Sequence, residues 1–372
     1  MFKRLAIFVH SLYGGGAERA MLNLARGFSQ QGIQVDLVLL RVEGNYLSQL
    51  PPEVKIVDLG GGRLWQCFPA LVRYLQQEKP SVMLSTLDDT NIAALWARRL
   101  VGSKTRLVVN VQNTISQDAK NAKQLKTRFM PQLVRWFFPW ADAVVPVSYG
   151  VAEDLMQIGV SKECIQIVPN PVVTPNVFQK AQEEVDHPWF SPNQPPVILG
   201  VGRLNRQKDF HTLIRAFALL RRQRPARLVI LGEDEGEEAA LRTLIQELNL
   251  TEDVDLPGFV SNPYAYMAKS AVFVLSSLFE GLPSVLIEAM AVGTPVIATN
   301  CQSGPLEILD NGKYGKLVDV GDASGLATAI LETLKAPLDS DVLRQRGNEF
   351  SLERSLAQYS QVLEGADCGI TI

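Results

Sequence analysis

Short apolar runs of strand length alternate with longer amphipathic stretches along almost the whole chain, and this alternation limits the fold more than any other feature. In the first half the strand-like runs are Leu5–His10, Val35–Leu40, Val82–Ser85, Leu107–Val111 and Ala143–Val147. Helix-like segments such as Ala17–Gln30 and Thr90–Leu100 lie between them. Runs filled with Val, Ile and Leu on both faces, each followed by a helix, predict a parallel sheet covered on two sides. From Thr174 to Pro196 the pattern dissolves into a stretch with Pro175, Pro188, Pro192, Pro195 and Pro196, which suits a linker. Alternation restarts with Val197–Val201, Arg227–Leu231, Asp253–Leu256, Val272–Ser276, Pro295–Ala298 and Lys316–Val318. The expected fold is therefore α/β, with two doubly wound domains over 1–173 and 197–350 and a linker over 174–196. A C-terminal helix over 351–372 is expected to cross back to the first domain. Ligands of such sheets bind at the carboxyl ends of the strands, so both domains are expected to face a central cleft.

At 372 residues the chain is long enough for two cores. A net charge of −3 does not suit nucleic-acid binding. The four cysteines, Cys67, Cys164, Cys301 and Cys368, form no Cys-x-x-Cys pair, which excludes the common zinc patterns and fits a reducing compartment. The basic, apolar start at Met1–Val9 breaks off at a glycine loop and is a first strand rather than a signal peptide. No apolar stretch reaches the roughly 18 residues of a membrane span. The expectation is a cytoplasmic protein, soluble or peripheral on the inner face of a membrane.

Three segments carry chemistry. Leu12-Tyr13-Gly14-Gly15-Gly16-Ala17-Glu18-Arg19 follows the first strand and opens a helix. Its glycines let a ligand approach the backbone, and helix-start N–H groups favour phosphate; the same run also suits a plain tight turn with positive φ. Arg19 stands where a dinucleotide-binding G-x-G-x-x-G would carry its third glycine. The second domain opens with Gly200-Val201-Gly202-Arg203-Leu204-Asn205-Arg206-Gln207-Lys208. Arg203 and Lys208 follow the strand at its carboxyl end, where a guanidinium and an ammonium suit a diphosphate whose charge grows as it leaves. Without the glycine turn before them they would pass for solvated surface charges. In Ser276–Met290 a strand ends, a loop carries Glu280, Gly281 and Leu282, and a helix starts near Pro283 or Ser284 with N–H groups open to phosphate. Glu288 lies about one turn inside that apolar helix, placed to reach adjacent hydroxyls such as those of ribose; buried carboxylates are rare without a partner.

This arrangement resembles the E-x7-E motif of the large retaining family of GT-B glycosyltransferases, family 4. Gly-Gly-Ala-Glu-Arg at 15–19, Val-Ser at 147–148 with Asn170-Pro171, Gly-Arg-Leu-x3-Lys-Asp-Phe at 202–210 and Ser-Gly-Pro-x-Glu at 303–307 occur in the family's order. The resemblance thus spans nearly the whole chain. It implies a GT-B fold of two Rossmann-like domains. The implied reaction is retaining transfer of a hexosyl or N-acetylhexosaminyl unit from a nucleotide sugar, with UDP favoured, to a glycan or lipid-linked acceptor, without cofactor or metal. By the same resemblance Arg203 and Lys208 grip the donor diphosphate, and Glu288 binds ribose. Glu280, with the backbone around Gly281, Leu282, Pro283 and Ser284, orients sugar and phosphates, while Gly15 and Gly16 meet the donor from the first domain. Glu280, Arg203 and Lys208 are the expected catalytic residues.

The chain also departs from the family. Where many members carry a sugar-contacting histidine after the fourth first-domain strand, this chain reads Val109-Asn110-Val111-Gln112-Asn113. Asn110 and Gln112 are therefore candidate sugar contacts, together with His10 at the end of the first strand. Glutamine can hydrogen-bond a hydroxyl but cannot titrate. Asp234 replaces a common glycine in Gly232-Glu233-Asp234, a substitution that left-handed backbone tolerates. Asp253-Val-Asp255 and Asp339-Ser-Asp341 have D-x-D spacing but lie off the expected site. Between 94 and 141 the bases Arg98, Arg99, Lys104, Arg106, Lys120, Lys123, Lys126, Arg128 and Arg135 face one acid, Asp118, among interleaved aromatics. Such a segment suits docking on an anionic membrane or a lipid-linked diphosphate, and equally an ordinary helix with one solvated face. Two alternatives compete with transfer. An epimerase of the same build needs titratable groups that are scarce here, and a silent nucleotide-sugar binder has no need of Glu280 or Lys208.

Overall fold

The computed structural model describes residues 2–13, 15–122 and 124–365. Gly14 of the glycine loop, Lys123 of the basic segment, and 366–372 with Cys368 lie outside the described residues. The chain divides into two compact units. Unit 1 is the stretch up to Pro171 together with the C-terminal helix from Leu352, and unit 2 is Val172–Ser351.

Unit 1 holds β1 (Arg4–Val9), β2 (Gln34–Leu39), β3 (Lys55–Asp58), β4 (Val82–Thr86), β5 (Arg106–Val111) and β6 (Ala143–Pro146). They form one parallel sheet in the order β3-β2-β1-β4-β5-β6. Strand β3 escapes the alternation pattern because it is a four-residue edge strand whose Ile56 is 42% exposed, so it lacks the two-sided apolar filling of the central strands. The Leu352–Glu364 helix packs on the Gly16–Gln30 helix, placing Leu356, Tyr359 and Val362 in the unit 1 core. Gly27 makes room for this, since a Cβ there would stand 2.4 Å from Leu356 Cδ1.

Unit 2 holds β7 (Val197–Val201), β8 (Arg227–Leu231), β9 (Val254–Gly258), β10 (Val272–Leu275), β11 (Val296–Thr299) and β12 (Lys316–Val318), in the order β12-β11-β10-β7-β8-β9. All pairs are parallel. The two sheets share one winding. The chain lays two strands outward from the first, then crosses to its other side, so the order reverses between β1 and β4 and between β7 and β10. Loops at the carboxyl ends of such strand pairs part there and leave a binding crevice.

The stretch 174–196 is not a free linker. Pro175 starts a helix, Pro175–Ala181, that packs on the Pro263–Lys269 helix. Asn262 Nδ2 donates to Lys180 O at 2.9 Å and to Glu183 Oε2 at 2.7 Å. His187 then pairs with Asp255 at 3.0 Å, in an edge-to-face cluster with Trp189, Phe190 and Tyr266. Pro175 and Pro188, which break the sequence periodicity here, begin helical turns, and aromatic packing ties the segment to unit 2.

Candidate active site

The site in unit 2 is built at the β7/β10 switch point by three loops stitched to one another. Gly202 N donates to Leu231 O at 2.9 Å and Leu204 N to Glu233 O at 2.8 Å, joining the loop after β7 to that after β8. A Cβ on Gly232 would stand 1.8 Å from Gly202 O, so only glycine permits this crossing. On the other side Leu278 N donates to Gln207 O at 2.8 Å, Gln207 Nε2 to Phe279 O at 2.9 Å, and Ser276 Oγ to Lys208 O at 2.7 Å. These bonds join the loop after β7 to the one after β10. Asn205 Oδ1 accepts from Lys208 N at 3.3 Å and caps the short turn Arg206–Lys208.

Within this frame Lys208 Nζ meets Glu280 Oε1 at 2.6 Å, with the side chains 13% and 7% exposed. Ser277 Oγ donates to the same oxygen at 2.6 Å. The carboxylate is therefore buried, paired and aimed by two donors, which is how an ionised group survives away from water. Arg203 stands on the same loop but turns outward, its Nη1 2.9 Å from Glu235 Oε1 and its side chain 57% exposed. The loop carrying Gly281, Leu282 and Pro283 is buried and backed by Ser303 Oγ, which donates to Gly281 O at 2.9 Å. Gly304, at φ 86°, lies so close that a Cβ would sit 2.5 Å from Pro283 Cδ.

Pro283 precedes the Ser284–Ala291 helix. Glu288 lies one turn in and is buried, and Tyr264 OH donates to its Oε1 at 3.4 Å. Cys301 lies behind Glu280; burial, and then the Glu280 charge, push its thiol up to about 12. It stays protonated and is no nucleophile at neutral pH. The structure thus brings Lys208 directly to Glu280, keeps Arg203 on the neighbouring turn, and seats Glu288 separately beside Tyr264. Asn205, Gln207, Ser277 and Glu235 complete the frame and were not singled out from sequence. The first three fall inside the quoted motifs, whereas Glu235 comes from the β8 loop and carries no signal of its own.

Unit 1 revises several expectations. Gly15 has φ −76° at the N-cap of the Gly16–Gln30 helix, so it answers no demand for positive φ. A Cβ there would lie 2.3 Å from Glu18 Oε2, so the missing side chain makes room for a carboxylate of the chain itself. Asn110 is no sugar contact. It is fully buried, with Nδ2 donating to Val145 O and Tyr359 OH, both at 3.0 Å, and Oδ1 accepting from Thr86 Oγ1 at 2.9 Å. Gln112 is half-buried and pairs amide to amide with Asn170, whose Nδ2 donates to Gln112 Oε1 at 2.7 Å. His10, half-buried, follows β1, and its carbonyl accepts from Arg41 N at 3.1 Å.

Asp88, at the start of the Asp88–Val101 helix beyond β4, went unnoticed in the sequence. Burial, then the charges of Asp118, Asp89 and Asp154, push its carboxyl up to about 7. Asp234 does not adopt left-handed backbone. Its Oδ1 accepts from Gly236, Glu237 and Glu238 N at 2.8–3.0 Å, and these bonds hold its carboxyl below the usual range. The D-x-D aspartates have other tasks: Asp253 pairs with Arg221 and Arg227, Asp255 with His187, and Asp339 caps the Ser340–Gly347 helix. Leu125, Phe129 and Trp136 are 69%, 59% and 63% exposed, beside a Trp96–Phe137–Trp140 cluster under Arg99. Among the described residues no helix is long and apolar enough to cross a membrane.

Two doubly wound six-stranded sheets are the architecture of the GT-B class, and the family profiles make the chain a glycosyltransferase of that class. Residues 14–176 match the Glycosyltransferase Family 4 profile and 181–350 match Glycosyl transferases group 1. The chain belongs to this family. It is 34% identical to the N-acetylgalactosamine-N,N'-diacetylbacillosaminyl-diphospho-undecaprenol 4-alpha-N-acetylgalactosaminyltransferase of Campylobacter jejuni, over 92% of each chain. It is 28% identical to the lipopolysaccharide core biosynthesis glycosyltransferase LpsE of Rhizobium meliloti, over 94% of this chain and 96% of that one. Its fold matches Anabaena HepE, solved in complex with UDP-glucose, with TM-score 0.78 at 19% identity over 97% and 99% of the two chains.

Proposed function

We propose that the protein moves a hexosyl or N-acetylhexosaminyl unit from a UDP-linked sugar to a lipid-linked glycan, retaining the anomeric configuration and using no metal. The observation that carries this reading is the buried Lys208–Glu280 pair at the β7/β10 switch point, with the Arg203 guanidinium on the same loop. Arg203 takes phosphate oxygens through paired N–H donors and Lys208 acts as a point charge. Together they neutralise the charge that develops on the leaving diphosphate, the task a divalent ion performs in other transferases. Glu280 and the backbone of Gly281, Leu282 and Ser284 orient the sugar and phosphates, while Glu288 takes the ribose hydroxyls. The bond from sugar C1 to phosphate oxygen breaks, and the acceptor oxygen bonds C1 on the same face. The acceptor proton passes to the leaving diphosphate.

The acceptor is assigned to unit 1, with Gln112 and His10 as its candidate contacts, while Gly15 and Gly16 meet the donor. The diphospho-undecaprenol acceptor in the name of the Campylobacter relative supports a lipid-linked substrate. So do the exposed Leu125, Phe129 and Trp136 within a basic segment, which suit an anionic membrane surface. The test is transfer from labelled UDP-sugars to a polyprenyl-diphosphate glycan after exhaustive chelation, with the product anomer read by NMR. Retained configuration without added metal is expected. An inverted product, or activity that returns only with a divalent ion, would sink the mechanism.

A further inference from the structure

Arg203 is more than half exposed, and an exposed arginine samples many rotamers unless something holds it. One carboxylate does. Glu235, on the loop after β8, accepts from Arg203 Nη1 at 2.9 Å through Oε1 and from Asn205 Nδ2 at 2.7 Å through Oε2. Asn205 is itself fixed, because its Oδ1 caps the turn that ends in Lys208. The Glu235 backbone is pinned as well, its N donating to Leu204 O at 3.1 Å. The carboxylate is therefore oriented at both oxygens and along the chain before any ligand arrives. Arg203 Nε and Nη2 have no partner among the described residues, so the hold on Nη1 leaves the rest of the planar fork available.

We propose that Glu235 is a positioning residue for the donor diphosphate. It holds Arg203 by one nitrogen so that the remaining donors meet phosphate oxygens with little further loss of side-chain freedom. An exposed ion pair contributes almost nothing to folding, so the value of this contact lies in binding. The inference rests on the donor-site reading of Arg203. The loop's stitching to Leu204 uses backbone groups alone, so the glutamate side chain serves Arg203 and the Asn205 that caps the Lys208 turn.

The experiment is calorimetric titration of UDP into the full chain and into Arg203→Ala, Glu235→Ala, Glu235→Gln and the Arg203→Ala/Glu235→Ala pair, with melting temperatures alongside. Arg203→Ala should weaken UDP about 10- to 100-fold, and Glu235→Ala about 3- to 10-fold at an unchanged melting temperature. Glu235→Gln, which still accepts from Arg203, should lie between Glu235→Ala and the unaltered protein. Because Glu235 acts through Arg203, the double variant should match Arg203→Ala to within about twofold. Multiplying effects in the double variant, unchanged affinity in Glu235→Ala, or tighter binding in Glu235→Gln would overturn the positioning role. An Arg203→Ala variant that binds UDP normally would instead overturn the donor-site reading itself.

Discussion

Lys208→Met removes the ammonium and keeps most of the apolar stem, and the structure predicts the cost. Lys208 Nζ and Glu280 Oε1 are 2.6 Å apart with both side chains largely buried. At an effective dielectric of 20 their gross attraction is about 6 kcal/mol. Desolvation offsets most of it, so the intact pair adds little net stability. Removing one member is another matter. Glu280 would stay buried with Ser277 Oγ as its one donor among the described residues, and such single deletions cost about 3–5 kcal/mol. Adding Glu280→Gln neutralises the stranded charge, so the double variant should recover all but about 1–2 kcal/mol. Urea denaturation followed by circular dichroism reads this cycle directly, and transfer should fall by about two to three orders of magnitude in each single variant and stay low in the double. A loss below about 1 kcal/mol in Lys208→Met, or a double variant no more stable than Lys208→Met, would refute the buried-pair argument. Near-normal transfer in Glu280→Gln would refute the site.

Glu288→Ala should weaken UDP binding about 10-fold or more, the cost of one charged hydrogen bond to ribose, with little change in turnover at saturation; calorimetry and saturation kinetics check it. Gly232→Ala forces a methyl into the Gly202 carbonyl, and should lower stability by at least about 2 kcal/mol while weakening UDP binding, both read in a thermal-shift titration. Asp88 carries a folded pKa of about 7, above its unfolded value near 3.9. The folded state therefore holds the proton more tightly, and ionisation above pH 7 costs stability. Asp88→Asn should stabilise the protein by about 2 kcal/mol at pH 8, after discount for partial exposure, with the gain shrinking between pH 7 and pH 4. Equal gains at pH 8 and pH 4 in urea midpoints would contradict this. Replacing Leu125, Phe129 and Trp136 by Ser should abolish flotation with anionic liposomes and leave the melting temperature nearly unchanged, since these side chains are already exposed.

How far sequence reaches here depends on the range of the interaction. Eleven of the twelve strands among the described residues follow from local runs, and the central ones are the plainest because a strand buried on both faces is apolar at nearly every position. The exception, β3, is an exposed edge strand under no such demand. The same locality made the Gly202–Lys208 and Phe279–Glu288 segments readable as loops of one candidate site, since a glycine turn and a helix start declare themselves within ten residues. It failed where the deciding partner is distant. Asn110 is consumed by Tyr359, 249 residues away, and His187 by Asp255, 68 away. Local composition alone therefore determined the α/β class, the two windings and the residue types gathered at the candidate site of unit 2. The tertiary structure decided which charges are paired there: Lys208 with Glu280, and Arg203 with a β8-loop glutamate that no motif contains. Hydrogen bonds and ion pairs depend on position in space, and only the winding of the sheet brings those loops within reach of one another.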